Sequence, residues 1–188
     1  VGLAGSLAEL LDGRRLVAGQ FSAIGRNSQY LERNNIALLN DDGSFDTTFN
    51  PGAVSGGEAF LSEVRTLIVQ PDKKIIIGGD FSSFDGTVRD RIARLDADGR
   101  LDSSFNPVNP DARSTNEGID ALALDAEGRV VVQSLYYAAP AFARYNRVFR
   151  LNQDGSLDSS FRLGTAETSD AEVNAIVIQP DNTILIGG

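Results

Sequence analysis

Short apolar runs alternate with turn residues along the whole chain. Residues 75–77 (III) and 130–132 (VVV) are β-branched triplets, a composition that favours strands. Gly or Pro interrupts the pattern about every dozen residues, so the runs are too short for helices. Because the runs are continuously apolar rather than alternating, they are typical of strands buried on both faces. The pattern predicts an all-β protein.

The apolar runs belong to a repeating unit. An octamer occurs three times at a spacing of 56 residues: DGSFDTTF from Asp42, DGRLDSSF from Asp98 and DGSLDSSF from Asp154. Two apolar segments, a variable stretch and a third apolar segment precede each octamer. The paired segments that begin the units are residues 4–21, 64–81, 119–136 and 173–188, and the third segments are residues 35–40, 91–96 and 147–152. Repeats of about 50 residues are typical of propellers and arrays.

The repeat predicts a β-propeller-type array of four-stranded antiparallel blades, with strands A to D in each unit. The octamer would supply a hairpin turn, where Gly accepts a positive φ, and the start of strand D. A β-solenoid is the structural alternative, but its coils usually need fewer residues. Three units and a partial one would leave sheet edges open, so we expect the chain to be part of a longer array. The predicted units are residues 4–63, 64–118, 119–172 and the partial unit 173–188.

Composition narrows the possible functions. The net charge is −9 without a basic block, which argues against nucleic acid as a partner, and no apolar run is long enough for membrane insertion. The chain has no Cys and no His, which excludes disulfides, cysteine catalysis and a Ser-His-Asp triad within it. An acidic chain without Cys suits a bacterial protein that is extracellular or at the cell surface.

The best-formed unit resembles a known family. VRTLIVQPDKKIIIGGDF (64–81) followed by RIARLDADGRLDSSF (91–105) is similar to the bacterial delta-60 repeat, a β-propeller family of unknown function. The resemblance covers essentially the whole chain. Unit three departs from it, with residues 133–135 (QSL) in place of 78–80 (GGD). The resemblance implies large, often secreted bacterial repeat proteins and carries no agreed activity.

The connections between strands suggest where a site would lie. If strands A to D run up and down, the A–B and C–D turns share one edge of the sheets, and the B–C and D–A connections share the other. The A–B and C–D turns are nearly constant in length and sequence, whereas the B–C and D–A connections vary. Variable loops on a rigid scaffold are where binding usually resides. We therefore expect the B–C and D–A connections to form the binding face, for a protein or a carbohydrate.

Aromatic residues concentrate in the predicted B–C loops. All four tyrosines fall there, and tyrosines beside an arginine suit carbohydrate stacking or a protein hot spot. The alternative for Tyr136 and Phe142 is packing between units, in the places of Phe81 and Phe84. The candidate ligand-binding residues are Tyr30, Tyr136, Tyr137, Phe142, Arg144 and Tyr145.

The acidic turns suggest one metal site. Asp96, Asp98 and Asp102 place carboxylates at i, i+2 and i+6, and calcium takes six to eight oxygen ligands. The spacing does not match the EF-hand loop, however, and a plain hairpin also demands Asp-Gly. Calcium is thus a possible ligand beside a purely structural turn, and the sequence predicts no other cofactor.

A further constellation recurs with the repeat. Arg91 and Arg94 in unit two are matched by Arg147 and Arg150 in unit three, and the following strands carry Asp102 and Asp158. We expect an Arg of strand C to pair with an Asp of strand D or of the next unit. Recurrence points to architecture, because a catalytic site is usually unique. Three functions stay open: a non-enzymatic structural or adhesive module, a lectin-like propeller that recognises a glycan or protein, and a carboxylate-based glycoside hydrolase. No spacing singles out the acid pair that the hydrolase needs.

Overall fold

The computed structural model describes residues 2–26, 29–56, 62–110, 115–138, 143–162, 168–169 and 173–188; at residues 26, 29, 115–117, 138, 143–144 and 168–169 only the backbone is described. Seventeen strands lie in these ranges. Unit one holds β1 (Leu3–Glu9), β2 (Arg15–Gln20), β3 (Ala23–Arg26), β4 (Gln29–Glu32), β5 (Ile36–Leu39) and β6 (Val54–Ser55). Unit two holds β7 (Glu63–Val69), β8 (Ile75–Asp80), β9 (Ser83–Phe84), β10 (Thr87–Val88) and β11 (Ile92–Leu95). Unit three holds β12 (Thr115–Leu124), β13 (Val130–Ala138), β14 (Ala143–Leu151) and β15 (Thr168–Ser169), and the partial unit holds β16 (Ala175–Ile178) and β17 (Ile184–Gly187).

Each full unit is built on a three-stranded antiparallel meander. The strand orders are β1-β2-β5, β7-β8-β11 and β12-β13-β14, which correspond to the predicted strands A, B and C, and β16-β17 supplies A and B of the partial unit. The prediction of an all-β fold is confirmed, and no helix occurs in the described residues. In that part of the chain, accordingly, no helix long and apolar enough to cross a membrane is found.

The octamers do not form the full fourth strand that the repeat predicted. Each makes one isolated antiparallel bridge to the end of strand C: Leu39 with Phe45, Leu95 with Leu101 and Leu151 with Leu157. The next Asp then redirects the chain, because its carboxylate accepts backbone N–H groups two or three residues ahead. The sheet of unit three does reach four strands, but its fourth member is β15, from the D–A connection.

The hydrophobic core lies between the units. Ile36 and Leu38 of unit one pack with Ile77 and other residues of unit two. Ile76 and Ile92, on the opposite face of unit two, pack with residues of unit three. A third cluster joins unit three to β16 and β17. Because an interior sheet is covered on both faces, its strands need the continuously apolar runs seen in the sequence.

The hairpin turns share one backbone geometry. Each closes with two hydrogen bonds around a three-residue loop whose last residue has a positive φ, as for Gly99 at +88° and Lys73 at +69°. The A–B and C–D turns therefore share one backbone conformation. Their arrangement positions the charged side chains described next.

Candidate binding site at the crossover edge

The A–B and C–D turns meet at one edge of the sheets, as predicted, and this edge is named the turn edge. A cation from the A–B turn reaches the second Asp of the octamer in every full unit. The pairs are Arg14–Asp46 at 3.1 Å, Lys74–Asp102 at 3.0 Å and Arg129–Asp158 at 3.9 Å. The sequence analysis missed these cations, although they occupy equivalent positions of the repeat.

The prediction that a strand C arginine pairs with a strand D aspartate is confirmed for Arg94 and Arg150, whereas Arg91 pairs with Asp90 at 2.7 Å. The Nε of Arg94 donates to Asp102 at 2.8 Å, and the Nε of Arg150 donates to Asp158 at the same distance. Burial raises the pKa of Asp102, but hydrogen bonds from Ser104, Lys74 and Arg94 outweigh this effect and hold the pKa below its usual range. Hydrogen bonds from Ser160 and Arg150 likewise lower the pKa of Asp158. These carboxylates stay ionised and hold the turns in place.

The proposed calcium ligands are occupied with turn formation. Asp96 Oδ1 accepts the backbone N–H groups of Asp98 and Arg100, both at 3.0 Å. Asp98 is exposed and lies 3.5 Å from the Arg100 guanidinium, while Asp102 pairs with Arg94. Among the described residues, no group of three potential ligands is arranged for a metal ion. This geometry favours the structural turn, and the calcium site stays a prediction.

The B–C and D–A connections lie together at the opposite edge, here named the crossover edge. The D–A strand β6, which leads from unit one into unit two, pairs with β9 in a B–C hairpin of unit two. In unit three the D–A strand β15 pairs with β14 at Tyr145 and Asn146. The B–C connection itself differs in every unit: the separate hairpin β3-β4, the short hairpin β9-β10, and in unit three an extension of strands β13 and β14.

The extended part of β13 and β14, residues 134–138 and 143–147, is named the Tyr hairpin. The sequence analysis predicted a loop here, and that prediction is wrong for Tyr136, Tyr137 and Tyr145, which lie in paired strands. Tyrosines favour strands, and the ladder continues from Leu135 opposite Asn146 without a break. The aromatic residues are therefore held on a continuous ladder.

One face of the Tyr hairpin carries an aromatic stack. Tyr136 and Tyr145 are direct cross-strand partners, their ring centroids are 5.5 Å apart and the ring planes differ by 21°. The guanidinium of Arg147 lies 5.3 Å from the centroid of the Tyr136 ring, within the range of a cation–π contact. Arg147 was not among the predicted site residues, although it stands two positions after Tyr145 and shares its side of the strand.

The tyrosines differ in their solvent accessibility. Tyr136 is 9% exposed, and its ring stacks on Tyr145 and lies under Arg147, both of its own unit; packing between units stays a prediction. Tyr137 and Tyr145 are half-buried and lie on opposite faces of the ladder. Tyr30 is 71% exposed but lies on β4, a separate hairpin of unit one. Phe142 and the side chain of Arg144 lie outside the described residues.

A comparison with protein families was made with this geometry in hand. A family model described as "Domain of unknown function (DUF5122) beta-propeller" matches residues 11–49, 70–105 and 137–161, just over half of the chain. The chain belongs to this family. A search of curated proteins found no match.

The matched segments of the DUF5122 family follow the structural units. Each ends at the last residue of an octamer, Phe49, Phe105 or Phe161. In unit three the match begins only at Tyr137, after the residues QSL (133–135) that depart from the repeat. Where the sequence departs from the repeat, the buried side chain of Gln133 donates a 2.8 Å hydrogen bond to the buried side chain of Asn146, on the opposite strand. Unit three is therefore specialised at the crossover edge.

Proposed function

We propose that this DUF5122 β-propeller chain is a non-enzymatic binding module of an extracellular bacterial protein, and that the Tyr hairpin contacts its ligand. The observation that carries the proposal is the half-buried Tyr145 on a rigid two-stranded ladder, stacked on Tyr136 with Arg147 on the same face, whereas Tyr137 lies on the opposite face. The resemblance to the delta-60 repeat and the lack of Cys support the extracellular location. The repeated scaffold supplies rigidity, and unit three supplies the contact surface.

The ligand class that best suits this surface is a carbohydrate. Sugar rings present C–H faces that stack on aromatic rings, while arginine and amide groups suit their hydroxyls. On one face, the Tyr hairpin offers the partly accessible Tyr145 together with Arg147, which lies over the ring of Tyr136. Among the described residues at the crossover edge of unit two, the aromatic side chains of Phe81 and Phe84 are fully buried.

The geometry gives less support to a glycoside hydrolase. Glycosidases generally need two carboxyl groups about 5 to 10 Å apart beside the substrate. The groove beside unit three is lined by one acid, Asp158, which is paired with Arg150 and recurs in every full unit. A carboxylate with a lowered pKa in such an ion pair does not suit a general acid.

The test is a glycan array on the chain, run once with calcium and once with a chelator. We expect binding that does not depend on calcium and that weakens about two- to tenfold in Tyr145→Ala, because an aromatic stacking contact contributes roughly 0.5–1.5 kcal/mol. Tyr137→Ala, on the opposite face of the ladder, should weaken binding less. Val88→Ala is the matched control, since Val88 is an exposed side chain at the crossover edge of unit two.

Three results would count against the proposal. Absence of glycan binding would favour a structural or adhesive module, and equal loss in the Val88→Ala control would exclude the Tyr hairpin as the contact surface. Binding lost with the chelator would instead revive the calcium site at Asp96, Asp98 and Asp102. Thermal unfolding of each variant establishes that the fold is retained.

A further inference from the structure

Units two and three carry different charges where strands B and C reach the crossover edge. The ladders align the two units, because Ile92 lies opposite Gly78 in unit two and Val148 lies opposite Gln133 in unit three. In this alignment two acids and two arginines of unit two correspond to a single arginine of unit three. The unit two residues are Asp80, Arg89, Asp90 and Arg91, and their counterparts in the same order are Leu135, Tyr145, Asn146 and Arg147.

Arg91 of unit two has a structural role that two acids support. Its Nη1 lies 2.7 Å from a carboxylate oxygen of Asp90, and its Nε lies 4.0 Å from a carboxylate oxygen of the buried Asp80. Unit three keeps the arginine as Arg147, which is half-buried rather than buried, and replaces both acids by the neutral residues Leu135 and Asn146. The positive charge is thus retained at a more accessible place, although the acids that accompany it in unit two are lost.

Tyr145 occupies a position that binds the octamer in unit one. There its counterpart Arg33 donates from Nε to the backbone carbonyl of Phe49, the last residue of the octamer, at 3.0 Å. In unit three the tyrosine ring instead stacks on Tyr136, with the Arg147 guanidinium over the latter ring. The exchange replaces a structural hydrogen bond by an aromatic surface, and it does so on the face that carries the retained cation.

The wider sequence of unit three shows the same shift in charge. Residues 128–153 contain four arginines and no acid, whereas the equivalent residues 73–97 of unit two contain four acids. Arg129 and Arg150 of this stretch contact Asp158 at the turn edge. Arg147 lies at the crossover edge, in a chain whose net charge is −9. A local positive segment in an acidic protein favours a negatively charged ligand at that segment.

We propose that the Tyr hairpin selects saccharides that carry a carboxylate, with Arg147 as the residue that determines this specificity. The ring of Tyr145 stacks on the face of a sugar, and the guanidinium of Arg147 donates two parallel N–H groups to the carboxylate. The inference rests on the proposed function and adds the class of glycan to it. It also assigns a role to Arg147, the one charged group of unit two that this part of unit three preserves.

The experiment compares two forms of one saccharide. Trigalacturonic acid and its fully methyl-esterified form share the same sugar rings, but only the first carries carboxylates. Each is titrated into the chain by calorimetry in the presence of a chelator, so that calcium does not bridge the acid to the protein. We expect the acid to bind about tenfold more tightly than the ester, the size of effect expected of a charge-assisted hydrogen bond. This preference should decrease at high salt.

Three variants assign the preference to Arg147. Arg147→Gln should bind both forms equally, with the affinity that the wild type has for the ester. Arg147→Lys should keep a reduced preference, because an ammonium group retains the charge but not the paired N–H groups. Arg100→Gln is the matched control: it removes the same charge from an exposed side chain at the turn edge and should keep the full preference. Thermal unfolding of each variant establishes that the fold is retained.

The outcomes distinguish this inference from the proposed function. Equal binding of acid and ester by the wild type, or a preference that persists in Arg147→Gln, would overturn the inference; if Tyr145→Ala then weakens binding of both forms, the proposed function stands. Binding only to sulfated chains on the glycan array would overturn the assignment of a carboxylate. Absence of binding to any acidic or neutral glycan on the array would overturn the inference and the proposed function together.

Discussion

The two edges of the sheets follow opposite rules. At the turn edge, three units repeat the same turn geometry and the same cation–Asp contact. At the crossover edge, the three B–C connections are a separate hairpin, a short hairpin and a long extension of the central strands. The difference indicates that the turn edge holds the units in register, whereas the crossover edge is free to vary. A ligand-specific surface is therefore expected where the units differ.

The largest expected effect comes from the turn edge at the junction of units two and three. Arg94→Ala removes one of the two cations that contact Asp102, together with the 2.7 Å hydrogen bond from Arg94 to the backbone carbonyl of Gln153 in unit three. We expect a loss of about 4 kcal/mol in the free energy of unfolding, measured by chemical denaturation, because a partly buried carboxylate loses a main partner. Arg100→Ala is the control: Arg100 is exposed at the same turn and should change stability by less than about 0.5 kcal/mol. Similar losses in both variants would contradict the structural role of Arg94.

Substitution of two glycines distinguishes the cost of backbone strain from the cost of a steric clash between units. Gly155, at the turn edge, has φ +91°, and an added Cβ would lie 2.7–2.9 Å from the backbone of Asn106 and Pro107. Gly86, at the crossover edge, has φ +74° and nothing within 4 Å. We expect Gly86→Ala to cost about 1 kcal/mol and Gly155→Ala about 3 kcal/mol of unfolding free energy. Equal costs would show that the close approach at the junction contributes nothing.

Acidification should destabilise the contacts of the turn edge. The pKa of Asp158 is lowered in the folded chain by Ser160 and Arg150, so its contribution to stability is present above the unfolded pKa of about 3.9 and is lost as the pH falls toward the folded pKa. We expect Asp158→Asn to be less stable than the wild type at pH 7 and to lose less stability on acidification. Unfolding curves at pH 7 and pH 3 measure both differences. Parallel losses in the two proteins would mean that Asp158 is not a source of the acid sensitivity.

The sequence predicted what the repeat itself encodes. The period placed the strands, the Asp-Gly pairs placed the turns, and the recurrence of Arg94 and Arg150 before an Asp identified the ion pairs. These features depend on residues close in sequence or on equivalent positions of neighbouring units. The all-β class therefore followed from the sequence, whereas the four-stranded blade did not match the sheets of the structure.

Other features depend on contacts that spacing does not reveal. The strand pairing of the octamer ends after one bridge because the carboxylates of Asp102 and its counterparts accept backbone N–H groups. The apolar pattern that predicts a strand does not show that these carboxylates compete with the sheet for those N–H groups. The predicted B–C loop of unit three is a strand extension because Tyr136 finds Tyr145 directly across the ladder. The exposure of Tyr137 and Tyr145 depends on surrounding elements, so the sequence predicted their region but not their geometry.

The single bridge made by each octamer also bears on aggregation. An outer strand with a long row of free N–H and C=O groups is a template for another chain. Here β5 and β11 are only four residues long, and the octamer bonds one end of each before turning away. The longer β14 is covered at both ends, by the octamer at Leu151 and by β15 at Tyr145. These three outer strands are therefore short or partly covered, which limits edge-to-edge pairing with another chain along them.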